Sequence, residues 1–90
     1  MSVLFSTSIL PLFRRHDIAC MTGQHYPIND YAFMSDATGD ATFPDHAHAR
    51  HVYARLTGTE KPQMPPDAAG RWSQDKLTLY QQWMTDGFQQ

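Results

Sequence analysis

The stretch "TFPDHAHARHVYARLTG", residues 42–58, decides the fold class. Ala49, Val52, Tyr53 and Leu56 recur at i, i+3, i+4 and i+7, the spacing that puts an apolar stripe along one face of an α-helix. Thr42 and Asp45 are spaced like a capping box, with Asp in place of Glu, and Pro44 suits a first turn. Gly58 is placed to end the helix in a left-handed C-cap. The pattern predicts a helix from the Thr42 cap to Gly58.

Two more helices are expected on either side. Ser8 can cap a helix from Ile9, with Pro11 in its first turn and Ile9, Leu12, Phe13 and His16 on one stripe. This helix either breaks near residues 15–17 or runs on to Gly23 as a C-cap. Ser73 caps "QDKLTLYQQWMTD", residues 74–86, closed by Gly87, with Leu77, Tyr80 and Met84 on one face and Trp83 beside it. Leu77 and Trp83 are expected in the core. Residues 22–43 read as a long loop with one short helix at "NDYAFM", tied to the core by Tyr31, Phe33 and Met34. So long a connection in a small domain points to function or to a missing cofactor's footprint. "TEKPQMPPDAAGRW", residues 59–72, with three prolines, reads as a stiff loop. No strand-like alternation competes, so the fold class is all-α: three main helices joined by long loops.

Bulk properties narrow the function. Ninety residues suffice for one domain, residues 1–90, with a thin core. With 41% hydrophobic residues the chain is too apolar to be disordered. The formal charge is −2 and the seven Lys and Arg are scattered, which leaves no basic stripe for nucleic acid. One cysteine, Cys20, cannot form a disulfide within the chain and fits a reducing, cytoplasmic setting. The start "MSVLFSTSILPLF" lacks the basic flank of a leader and is too short and too broken to span a membrane. It reads as a strand-like arm leading into the first helix.

Within "HDIACM", residues 16–21, the five positions from Asp17 to Met21 have the length of a C-x-x-C-H haem-attachment motif. Cys20 stands at the second cysteine, Asp17 at the first, and Met21 at the axial histidine. "ILPLFRRHDIACM", "VYARLTG" and "QMPPDAAGRWSQDKLTLYQQWMTDGF" follow in an order that resembles the planctomycete-type cytochrome c domains, over about residues 8–88. The resemblance implies a small cytochrome c-like bundle in which Met64, before two prolines, matches the axial methionine. Asp17 cannot form a thioether and Met21 cannot replace the imidazole, so Asp17, Cys20, Met21 and Met64 are read as a degenerate haem site without covalent haem. Side chains are expected to fill the space, with Met64 buried near Met21 and Cys20 under the "KPQMPPD" loop. A helical bundle of unrelated origin fits the same patterns, and so does a retained haem.

Other constellations are weaker. His46, His48 and His51 invite a metal reading, but only His48 and His51 share a helix face, and no further ligand stands at helical spacing. Met21, Met34, Met64 and Met84 with Cys20 form a soft-ligand set for copper, though Met spaced so widely more often fills a core. His16, four residues before Cys20, could serve a catalytic thiolate, but no third group is evident. No cofactor is assigned. The function expected is a non-catalytic accessory subunit or protein-interaction module. It would dock on a larger enzyme subunit, an oxidoreductase by family analogy, through the loop aromatics Tyr26, Tyr31, Phe33, Phe43 and Trp72. The alternative is a metal- or redox-handling protein that binds copper or non-covalent haem through His and Met. A third reading is a small enzyme built on Cys20.

Overall fold

The computed structural model describes residues 3–61, 63–64 and 71–90. Its ordered elements are helical and no strand occurs among the described residues, so the chain is all-α. Four α-helices follow in order: α1, Arg15–Gly23; α2, Tyr31–Met34; α3, Ala47–Thr57; α4, Gln74–Thr85. An N-terminal arm precedes them, in which a wide π-type turn, Phe5–Ile9, runs into a 3₁₀ turn, Leu10–Leu12. No helix among the described residues is long and apolar enough to cross a membrane.

The first helix differs from its expectation. Ser8 caps nothing; it lies inside the π-type turn, whose N-cap is Leu4. The chain then extends at Phe13 (ψ 129°) and Arg14 (ψ 157°) before α1 begins. The stripe Ile9–Phe13–His16 is therefore split between two elements. Ile9 and Phe13 are still buried, because the arm packs its apolar side inward without being part of one helix. Gly23 is the last residue of α1 and not its left-handed cap; His25 takes that conformation instead (φ 69°).

The start of α3 is also displaced. Thr42 and Asp45 form no capping box. The backbone N–H groups of Thr42 and Phe43 donate to the Asp40 carboxylate, each at 2.9 Å, so Asp40 organises a turn of its own. The helix begins only at Ala47, after His46 in a left-handed conformation (φ 47°). At its other end the expectation holds: Gly58 follows with φ 86°, and a Cβ there would press on the Gln63 side chain at 2.9 Å. Gly39 is needed for a different reason, since a Cβ would run into the Pro44 carbonyl as the loop doubles back.

Helix α4 starts as expected, with the Ser73 hydroxyl accepting from the Lys76 N–H. Its buried face is the expected one only in part. Tyr80 and Trp83 are fully buried, whereas Leu77 and Met84 are only partly so. Two large rings reach the centre of the molecule and push the aliphatic side chains to the flank. Trp83 packs against Phe5 (5.5 Å between centroids), Tyr80 (5.4 Å) and Phe88 (5.2 Å), and its Nε1–H donates to the Gln89 carbonyl. Tyr80 donates its hydroxyl to the Ala49 carbonyl at 2.8 Å, which joins α4 to α3. The ends of the chain meet beside them: the Phe5 N–H donates to Gln89 O and the Ser6 N–H to Gln90 O.

The long first connection is tied down as expected. Met34 is fully buried, Tyr31 and Phe33 pack against the core, and Tyr31 donates to the Phe88 carbonyl at 2.7 Å. Ile28, which no pattern singled out, is buried as well. The stiffening assigned to Pro62, Pro65 and Pro66 falls outside the described residues.

Trp83→Ala should cost about 3–5 kcal/mol, a large share of the stability of so small a domain. Leu77→Ala, at a half-buried site, should cost less than about 2 kcal/mol. Chemical denaturation of the two variants checks the order, and equal losses would contradict this packing.

Candidate functional site

Helix α1 divides Asp17, Cys20 and Met21 between its two faces. Asp17 and Met21, four apart, point inward. With Met64 they line one small apolar hollow, completed by Phe13, Ile28, Val52, Leu56 and Trp72. Met64 is 3% exposed and Met21 1%, so both are buried against one space, as expected. Cys20 is not with them. It lies half-exposed on the outer side of α1, where its Sγ is 3.5 Å from His16 Nε2. A helix that turns Asp17 and Met21 inward must turn residue 20 away from them.

Asp17 is a built feature of this hollow. It is 3% exposed, the buried charged residue among the described ones. One oxygen accepts from the Arg14 backbone N–H (3.1 Å) and from Arg14 Nε (3.0 Å), and the other accepts from the guanidinium at 2.7 Å. The carboxylate thus closes the first turn of α1 and neutralises its own charge in one contact. Every buried side-chain polar atom among the described residues has a hydrogen-bond partner.

The residues present do not fit a haem. The hollow between Met21 and Met64 measures about 10 Å³, scarcely the volume of one water, with Asp17 engaged by Arg14 on its border. The copper set is not assembled either. Met21, Met34 and Met64 are buried in the core, Met84 lies beside α4's outer face, and Cys20 is on the far side of α1.

The three histidines of α3 go to three different partners. His46 stacks on Phe88 (3.8 Å, 2°) and faces Asp45 through Nδ1 at 3.0 Å. His48 stacks on Phe33 (3.9 Å, 9°), with Nδ1 2.9 Å from the Phe33 carbonyl. His51 sits between two carboxylates, Nδ1 2.6 Å from Glu60 and Nε2 2.7 Å from Asp40. Among the described residues no group of three or more His, Cys, Asp or Glu side chains is placed to hold a metal ion. The His16–Cys20 pair is an exposed contact, and among the described residues no third group orients the imidazole.

The aromatics proposed as exposed anchors are not exposed. Trp72 is 7% exposed and packs on Phe13 (5.2 Å) and Tyr80 (6.0 Å). Tyr26, Tyr31 and Phe33 pack against the core. Phe43 is half-buried with its edge on His51 (4.8 Å, 81°). Loop position suggested exposure, but in a chain this short the loops supply much of the core.

What remains open is a groove on the outer side of α3 and α4, of about 320 Å³. Phe43, Tyr53, Ala54 and Met84 form its apolar part, and Arg50, Thr57, Thr59 and Gln81 its polar part. Arg50, Gln81 and Met84 continue into an adjoining hollow with Thr85. Arg50 is the charged group of both, and Tyr53 is backed by Tyr80 at 5.6 Å. Sequence periodicity placed Tyr53 in the buried stripe and Met84 on a core face. No sequence signal marked the groove, which α3, α4, Phe43 and Thr59 form jointly.

No family model, curated protein or solved structure matches this chain.

Met64→Ala should destabilise by about 2–4 kcal/mol, and Asp17→Ala by a similar amount because it strips the cap and leaves Arg14 without its buried partner. Cys20→Ser should stay within about 0.5 kcal/mol. Thermal melts of the three variants test the division of α1 into a buried and an outer face; a Cys20→Ser loss matching the other two would refute it.

Proposed function

We propose that this chain is a non-catalytic interaction module, an accessory piece that docks on a larger protein through the α3–α4 groove. The observation that carries this reading is the composition of the groove. An apolar strip of Tyr53, Met84 and Phe43 lies beside one cation, Arg50, with hydroxyl and amide groups around it. Tyr, Met and Arg are the residue types that anchor protein interfaces. The groove is open along one side, which suits a protruding side chain of a partner better than a small ligand that must be enclosed. The partner segment that fits carries an apolar side chain for the strip and a hydrogen-bond acceptor near Arg50, whose guanidinium already holds Asp45. The resemblance to cytochrome c domains is part of this proposal. It would make the larger protein an oxidoreductase, by analogy of fold alone.

A photo-crosslinking residue at Met84 and another at His16, on the outer face of α1, test the reading in the native cell. Met84 should give one discrete adduct and His16 none. The adducted protein, purified, should bind the unmodified chain, and Gln81→Lys and Met84→Lys should weaken that binding at least tenfold while leaving the helical spectrum intact. Equal adducts from both positions, or unchanged binding by both variants, would overturn the groove as the docking face.

A further inference from the structure

His51 is gripped from two sides. Asp40 reaches it from the loop before α3 and Glu60 from the segment after it, at 2.7 and 2.6 Å. A neutral imidazole carries one N–H, so two carboxylate contacts of this length require both nitrogens to donate. The other charged groups nearby are accounted for. Arg55, on the next turn of α3, donates through Nε to the second oxygen of Glu60 at 3.3 Å and through NH1 to Gln24 at 2.6 Å. Arg50 turns to Asp45, and His48 to Phe33. Among the described residues the imidazolium is the cation that meets Asp40.

We propose that protonated His51 is a latch that holds the loop tip at residues 40–43 against α3, and that loss of its proton frees the tip and with it the Phe43 wall of the groove. The asymmetry of the two carboxylates says which side lets go. Glu60 keeps Arg55, and its backbone N–H donates to the Ala54 carbonyl at 3.1 Å. In the latch a neutral His51 keeps its proton on Nδ1, toward the carboxylate that stays in place. Nε2 then turns a lone pair on the Asp40 carboxylate, and attraction becomes repulsion. The remaining bonds of Asp40, from the Thr42 and Phe43 N–H groups, lie within the tip and do not tie it to α3. The ends of the loop stay anchored by His46 N–H to Ala37 O and Ala47 N–H to Thr38 O, so opening is confined to the tip. Phe43 rests its edge on the same imidazole and moves with it.

The titration runs in the direction the latch needs. Burial disfavours the charged imidazole, but the bonds from Asp40 and Glu60 outweigh it and raise the His51 pKa above its ordinary 6.5. A raised folded-state pKa means that the latch is complete below about pH 6.5 and is lost as pH climbs through the raised value. The Asp40 carboxyl is held below its ordinary range, first by the Phe43 N–H and then by His51, so it drops out only in acid. The gating of the groove rests on the docking reading above; the latch itself does not.

NMR of the isolated protein tests it. Imidazole nitrogen shifts report the protonation of His51, and amide exchange, corrected for its intrinsic pH dependence, reports the tip. Protection at Thr42 and Phe43 should fall at least tenfold with the midpoint of the His51 titration, while Leu56 and Trp83 stay protected. In Asp40→Asn the amide can keep the turn and donate to a neutral Nε2, so tip protection should become flat across the same range. Wild-type protection that stays flat while His51 titrates, or an equal fall in Asp40→Asn, would overturn the latch. If the tip opens as stated but partner binding keeps the same affinity on both sides of the midpoint, the gating is wrong and the latch stands.

Discussion

The packing around Trp83 is the constraint on which the rest of this structure depends. One indole touches the N-terminal arm through Phe5, Tyr80 on the preceding turn of its own helix, and the C-terminal tail through Phe88 and the Gln89 carbonyl; Tyr80 in turn reaches α3 through the Ala49 carbonyl. The tail in turn holds Tyr31 of the short helix α2 and stacks on His46 at the start of α3. A small domain cannot stack layers of aliphatic side chains, because too little of its chain is far from solvent. A few large rings, each with tilted or edge-on neighbours, bury more area per residue and add directional contacts. Both His46 and Phe88 adopt left-handed backbone conformations to meet face to face. Such conformations cost about 1 kcal/mol each in a non-glycine residue and persist only where packing over-determines them.

Polar contacts fix what the rings leave free. Asp17 shows how a carboxylate can occupy an interior place: it caps its own helix and carries its own counter-ion, so it adds no unpaired charge to the hollow beside Met21 and Met64. His51 performs a comparable task between two loops, but through a group whose charge depends on a proton. Rigid interior and adjustable rim are thus made from the same chemistry, a carboxylate with a cation, and differ in which cation is used.

These two regions frame the functional reading. Among the described residues the space between Met21 and Met64 is nearly closed, and an open groove lies on the opposite side of α3, beside α4. The apolar strip beside Arg50 in that groove is the feature on which the docking proposal rests.

The sequence by itself determined the helical class, the ends of α3 and α4 at Gly58 and Gly87, the Ser73 cap, the short helix at Tyr31–Met34 and the burial of Trp83. These follow from local periodicity and from residues with few backbone options. It also shows that Asp17 cannot carry a thioether, since that is a property of one side chain. Tertiary structure decided the rest. It split the first predicted helix at Phe13, moved the start of α3 past Thr42 and Asp45, and left Leu77 and Met84 at the flank of the core beside Tyr80 and Trp83. It also buried the loop aromatics and sent His46, His48 and His51 to separate partners. The displaced start of α3 turns on the local Asp40 turn, which has no helical periodicity. The others, such as Trp72 on Phe13 or His48 on Phe33, turn on contacts between residues far apart in the chain, and the spacing along a segment carries no record of which distant ring will stand opposite it.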